Sequence, residues 1–272
     1  MPLKTNRYLI SLLTTIILFV STFHVIYAQQ TDTIIPIDDN QEKILRKIDI
    51  RRIASNGFNF WQDKFSGHWA GVDFGVNTFL NKDYSAYDSE FMNNDIYRSN
   101  STYVNVIQQN ISLQHNRNTI GLVIGLGVHF QSYRLNQNTT IERLPNDVIV
   151  AKELYFDDNQ KSKLSIVSLT LPILAEFQIP INHYENRFYI SGGLYLGYRL
   201  GSHTKIKYRI ERKEKLKIPD HYSLHDFKYG LMFRTGYRWI NVFATYEITH
   251  LFKENKGPEL TPFTFGFTLM RF

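Results

Sequence analysis

The chain has 272 residues, a formal net charge of +6, no cysteine, and an aromatic load of 17 Tyr and 20 Phe. Without cysteine no disulfide can staple the fold, so an exported chain of this size must draw its stability from elsewhere. A cationic surplus suits nucleic acid or anionic lipid, and the export signal described next removes nucleic acid from the expected partners.

Lys4 and Arg7 precede an apolar run from about Tyr8 to Ile26, and Ala28 stands just before the polar "QQTDT". Basic start, apolar run and small residue together have the layout of a secretory signal peptide over residues 1–28. An uncleaved membrane anchor is the competing reading, although the run is at the short end for a spanning helix. Residues 29–66 are polar and lack a sustained period, apart from a short helical pattern around "QEKILRKIDIRRI". They are expected to be a periplasmic leader, flexible or loosely docked.

From Gly67 to Phe272 the period is two. "HWAGVDFGVNTF" sets Ala70, Val72, Phe74 and Val76 against Gly71, Asp73, Gly75 and Asn77. "YVNVIQQNISLQ" is a weaker pattern, with Ile107, Ile111 and Leu113 aligned. "TIGLVIGLGVHF" puts Ile120, Leu122, Ile124, Leu126, Val128 and Phe130 on one face and Gly121, Gly125, Gly127 and His129 on the other. Glycine packs poorly on a watered face, which suggests that the large residues meet lipid and the small ones a narrow lumen. "LSIVSLTLPILAEFQI", "RFYISGGLYLGYRLG", "DFKYGLMFRTGY", "NVFATYEIT" and "PFTFGFTLMRF" bring the set to eight.

The connections alternate in length. Those near 115–118, 180–187 and 238–241 are short; those near 80–102, 135–163, 204–224 and 251–261 are long. Short turns on one rim, long loops on the other and an even strand number predict an all-β, eight-stranded antiparallel up-and-down transmembrane β-barrel, with the short turns periplasmic. Hairpin registers with Leu113 facing Ile120, Phe177 facing Ile190 and Tyr237 facing Val242 all put the apolar faces on one outside. The apolar stretch of Ile120–Phe130, tilted near 45°, is roughly 24 Å tall at ~3.3 Å per residue. An eight-stranded interior is only wide enough to be filled by side chains.

The segments "GHWAGVDFGVN", "LTLPILAEFQIP", "GGLYLGYRLGSHTK" and "KGPELTPFTFGF" resemble those of the PorT-like outer-membrane β-barrel proteins of Bacteroidota, over about Gly67 to Phe272. The resemblance implies an eight-stranded barrel and an outer-membrane address. Some members of that family serve secretion or gliding, and most have no assigned activity. Phe272 falls out of phase with Phe263, Phe265, Phe267 and Leu269, so the chain departs from a strict terminal-aromatic signal.

The inward-facing polar set is Asp73, His129, Glu176, Arg199, Lys228, Arg234 and Glu247. Both signs occur, as a low-dielectric interior demands of buried charge. The Tyr237–Val242 register sets Arg234 across from Thr245 and diagonal to Glu247, with Glu176 completing a structural charge cluster of Asp73, Glu176, Arg199, Arg234 and Glu247. Such a cluster would block general porin activity; a proton or ion path is the competing reading. A lipid-modifying enzyme would need a nucleophile, a base and an orienting carboxylate converging at one rim, for which His129 with Ser132 is the nearest pair. "GHW" at Gly67–Trp69 also fits the first strand of a soluble lipocalin-like ligand carrier. His203, His221 and His225 have no metal-ligand spacing. Neither metal, cofactor nor enzymatic activity is therefore expected.

One stretch stands out from the scaffold. "KIKYRIERKEKLK" holds Lys205, Lys207, Arg209, Arg212, Lys213, Lys215 and Lys217 against Glu211 and Glu214. The alternation of Lys205, Lys207 and Arg209 with Ile206, Tyr208 and Ile210 predicts that the strands extend past the membrane as an extracellular basic ribbon. Its expected partners are outer-membrane lipid, lipopolysaccharide phosphates and envelope proteins; a merely solvated loop is the competing reading. A structural or interaction role in the cell envelope, with secretion-machinery or surface-binding variants, is the function these features predict.

Overall fold

A computed structural model describes residues 65–271, apart from 115–117, 156–159, 182 and 210–211. The expected signal peptide, nearly all of the expected leader and Phe272 lie outside the described residues. Eleven strands are assigned: β1 (Gly71–Asp83), β2 (Asn100–Ser112), β3 (Ile120–Arg134), β4 (Thr139–Arg143), β5 (Ile149–Glu153), β6 (Lys161–Ile181), β7 (His183–Arg209), β8 (Lys213–Pro219), β9 (Phe227–Tyr237), β10 (Ile240–Glu247) and β11 (Glu259–Arg271). Eight of them, β1, β2, β3, β6, β7, β9, β10 and β11, pair antiparallel in that order. The pairing of β1 with β11, Phe74 opposite Phe267, closes the ring.

The period of two becomes an inside and an outside. Along β3 Gly121, Val123, Gly125, Gly127 and His129 are buried, while the residues between them are partly or fully exposed. Phe265 and Phe267 on β11, and Leu231 and Phe233 on β9, are about half exposed. A row of large apolar side chains left uncovered all around a closed sheet is stable only against lipid.

Two of the three expected hairpin registers are observed: Leu113 N donates to Ile120 O at 3.0 Å, and Phe177 opposes Ile190. The third is shifted. Tyr237 opposes Ile240, so Arg238 and Trp239 alone make the turn, with Arg238 at φ 54°. A shift of two residues preserves the facing of every side chain, which is why the outside was identified correctly from a wrong pairing. The first strand also starts later than the alternation suggests. Ala70 does not face outward; it is buried ahead of β1.

Crossing the apolar layer takes about 9–11 residues of tilted strand, but β6 has 21 residues and β7 has 27. The surplus stands above the membrane on the long-loop side. There β7 changes partner, pairing Phe188–Tyr198 with β9 and His203–Arg209 with β8. β4 and β5 form a separate hairpin in the connection between β3 and β6. Loop and strand-end residues including Phe79, Phe91, Met92, Tyr133, Leu164, Leu224 and Phe252 bury one another in an apolar cluster that caps this end.

Candidate functional site

The lumen is filled by the chain itself. Phe65, Gly67 and Trp69 are buried, and Phe65 and Trp69 share an apolar cluster with Tyr103, Val123, Leu174, Tyr195, Met232 and Phe243. The inward glycines of β3 exist for this segment. A Cβ on Gly121 would lie 2.4 Å from the Phe65 ring, and one on Gly125 would lie 2.2 Å from the Trp69 indole nitrogen. Gly67 leans equally hard on the wall, since a Cβ there would meet Val123 at 2.3 Å.

A backbone lying inside a barrel cannot leave its polar groups unmet. Trp69 N and Ala70 N both donate to Gln108 Oε1 at 2.7 Å, and Gln108 Nε2 donates to Gly67 O at 2.9 Å. Gln178 Nε2 donates to Ser66 O at 2.6 Å. His68 N donates to Glu176 Oε2 at 3.1 Å, while its ring Nδ1 stands 2.6 Å from Glu176 Oε1. The His68 ring also stacks on Tyr189 at 4.1 Å. Side chains of β2 and β6 thus replace the strand partners that this segment lacks.

All five residues of the expected charge cluster face inward, but their pairing differs from the one anticipated. Arg234 opposes Phe243, not Thr245. Its guanidinium reaches across the barrel and grips Asp73 with both ends, Nη1 to Oδ2 at 2.6 Å and Nη2 to Oδ1 at 3.0 Å. Asp73 also accepts from Asn105 at 2.7 Å and Thr268 at 2.6 Å, so a buried carboxylate is met by four donor contacts. The Trp69 ring lies 5.1 Å from the guanidinium carbon, close enough for a cation–π contribution. Glu247 pairs instead with Lys228 at 2.8 Å, and Gln131 bridges the two. Glu176 holds His68, and Arg199 pairs with Asp226. The cluster is a set of separate pairs.

His129 and Ser132 do not converge. The His129 ring is inside, 2.6 Å from Ser101 Oγ and stacked on Tyr103 at 3.7 Å. Ser132 accepts from Lys163 Nζ at 3.0 Å, and lies across from Ser165 on the outer face. Among the described residues no group of three or more His, Cys, Asp and Glu is placed to hold a metal ion. The ribbon residues Lys205, Lys207 and Arg209 end β7; Lys213, Lys215 and Lys217 lie on β8, with Arg212 in the turn before it.

His68, Gln108 and the intruding segment are the functional residues that the alternation did not disclose. Gln108 was hidden by a bulge. The β2–β3 register slips between Asn105 and Ile107, leaving Val106 and Ile107 both outward and half exposed, so the period of two is broken at that point. The weak pattern of "YVNVIQQNISLQ" was itself the signal.

Closed ring, lipid-facing belt and loop asymmetry together specify a membrane barrel, and a family model described as outer membrane protein beta-barrel domain matches residues 60–254. The chain belongs to that family. The match to this outer-membrane β-barrel family takes in β1 to β10 and stops short of β11, which the structure shows closing the ring. No curated protein and no solved structure matches the chain.

Proposed function

We propose that this outer-membrane β-barrel is a non-enzymatic, non-conducting envelope component of the PorT-like branch, exported by its signal peptide, which works through surfaces and not through a pore. One observation carries the reading: residues 65–70 lie in the lumen, anchored by Gln108, Glu176 and Gln178, beside the buried Arg234–Asp73 pair. A small lumen crossed by both backbone and ion pairs has no continuous water path. Enzymatic use is disfavoured by the same packing, because His129 is fully buried and Ser132 is on the other face. The quoted segments of β1, β6, β7 and β11 support the PorT-like assignment, and with it a structural or machinery-associated role.

The test is single-channel recording of the purified barrel in planar bilayers. Wild-type protein is expected to give no stable conductance steps. Reproducible steps from folded protein, judged by heat-modifiable migration on gels, would refute the occluded-lumen reading.

A further inference from the structure

Like charges directly opposite one another in an antiparallel pair destabilise it. The outer wall above the membrane repeats that arrangement across four strands. Arg134 opposes Lys163, Lys163 opposes Lys205, and Lys205 opposes Lys217. One step further from the membrane, Lys161 opposes Lys207 and Lys207 opposes Lys215. The alternating neighbours Ser162, Leu164, Thr204 and Ile206 are buried, so the lysines of β6 and β7 share the outward face.

Asp95 favours the Arg134 cation at the β3 end of the row, but no described carboxylate faces the lysines. Among the described residues none of these seven cations forms an ion pair; the nearby carboxylate of Glu214 falls on the opposite face, where it accepts from Tyr208 at 2.7 Å. Burial, followed by the Lys205, Lys207 and Arg134 cations, pulls the Lys163 ammonium below the ordinary lysine range. The repulsion is therefore felt within the fold.

Toward the membrane the same face changes character in order. The next row is Ser132, Ser165 and His203; below it come Phe130, Val167 and Gly201, then Val128, Leu169 and Tyr198. Four residue steps separate the first cation row from Phe130 and Val167, ~13 Å along the strands. Cations, hydroxyls and apolar side chains thus follow one another as phosphate, polar linkage and acyl chain do in an anionic lipid.

We propose that this wall is a docking surface for an anionic lipid of the outer leaflet, its phosphates held between the two cation rows and its acyl chains on Phe130, Val167, Leu169 and Tyr198. The inference rests on the outer-membrane placement. Charge complementarity alone would also admit a soluble acidic partner. Continuity of the cation rows with the lipid-facing belt decides for the lipid, because that belt already lies among acyl chains.

The experiment uses the full barrel in zwitterionic detergent and bis-phosphorylated lipid A as the probe, with dephosphorylated lipid A and inositol hexakisphosphate as comparators. Lys163→Gln, Lys205→Gln and Lys217→Gln combined should weaken lipid A binding at least roughly tenfold, whereas Lys82→Gln, Arg98→Gln and Lys152→Gln combined should leave it unchanged. Wild-type binding should fall as salt rises from about 0.05 to about 0.5 M. A second readout has the opposite sign. Without lipid the patch variant should keep its folded, unboiled band to a higher temperature than wild type, because the facing cations are gone, and lipid A should raise that temperature only in wild type. Equal losses in both triple variants, or equal binding of dephosphorylated lipid, would overturn the proposal. Inositol hexakisphosphate binding as tightly as lipid A would overturn it in favour of a soluble polyanion. Co-fractionation with the outer membrane is scored separately, so a misplaced barrel and a barrel indifferent to lipid A give different results.

Discussion

The two faces of the same strands treat charge in opposite ways. Inside, the most deeply buried charges are paired with opposite ones, as Arg234 with Asp73 and Lys228 with Glu247. On the outer wall of β6, β7 and β8, lysine faces lysine and no described carboxylate intervenes. A buried charge without a partner costs several kcal/mol, in the range of ~3–5, so sequence variation in the lumen is constrained by folding itself. A solvated cation row costs far less, and can persist if its neutralisation comes from outside. Interior pairing is a condition of stability; exterior crowding is what the proposed lipid would relieve.

The largest test of that contrast is Arg234→Ala. It strands Asp73, whose remaining donors are neutral, and should destabilise the barrel by about 3–5 kcal/mol. Urea unfolding in detergent would read the loss. Arg234→Met with Asp73→Leu removes both charges and should recover most of it; if the double variant is as unstable as the single, burial of charge is not the cause.

A smaller effect is expected from the glycine that admits Trp69. Gly125→Val overpacks the lumen against the indole, at a cost of about 1–3 kcal/mol. In a background with Trp61 and Trp239 replaced by Phe, the emission of Trp69 should move to the red as the ring is displaced toward water. An unchanged spectrum would mean that the segment does not depend on the glycine row.

The smallest effect lies in the loops of the long-loop rim. Arg143 Nη1 donates to Asp147 Oδ1 at 2.5 Å, and this hydrogen bond holds the Asp147 carboxyl below the usual carboxylate range. A depressed folded-state pKa stabilises above the unfolded value, near ~3.9, and the contribution is lost as pH falls through the folded value. Hydrogen exchange in the 143–148 turn should thus be flat from neutral pH to about 4, once corrected for intrinsic rates, and accelerate below it. Asp147→Asn should remove that acceleration.

Strand number, facing and rim asymmetry were legible because each depends only on local period and spacing. The partners of the lumen charges were not. Asp73 and Arg234 are 161 positions apart, and which inward residues meet across a closed ring depends on registers around the whole circumference, including the two-residue turn at Arg238 and Trp239. The intruding segment was misread for a different reason. Gly67, Trp69 and Gly71 continue the small-and-large alternation of β1, and alternation is the same whether a backbone pairs with a strand or lies against glycines inside the barrel.

The position of Phe65–Ala70, joined to β1 without an intervening turn, constrains the order of assembly. The ring closes only where the first strand meets the last, Val76 against Phe265 and Val72 against Met270. Until β11 arrives, the sheet is an open trough, and the segment can be laid along its concave side; afterwards it would have to be threaded. Seating on β2, β3 and β6 therefore has to precede closure. Closure itself joins opposite ends of the chain, the slowest kind of contact to form.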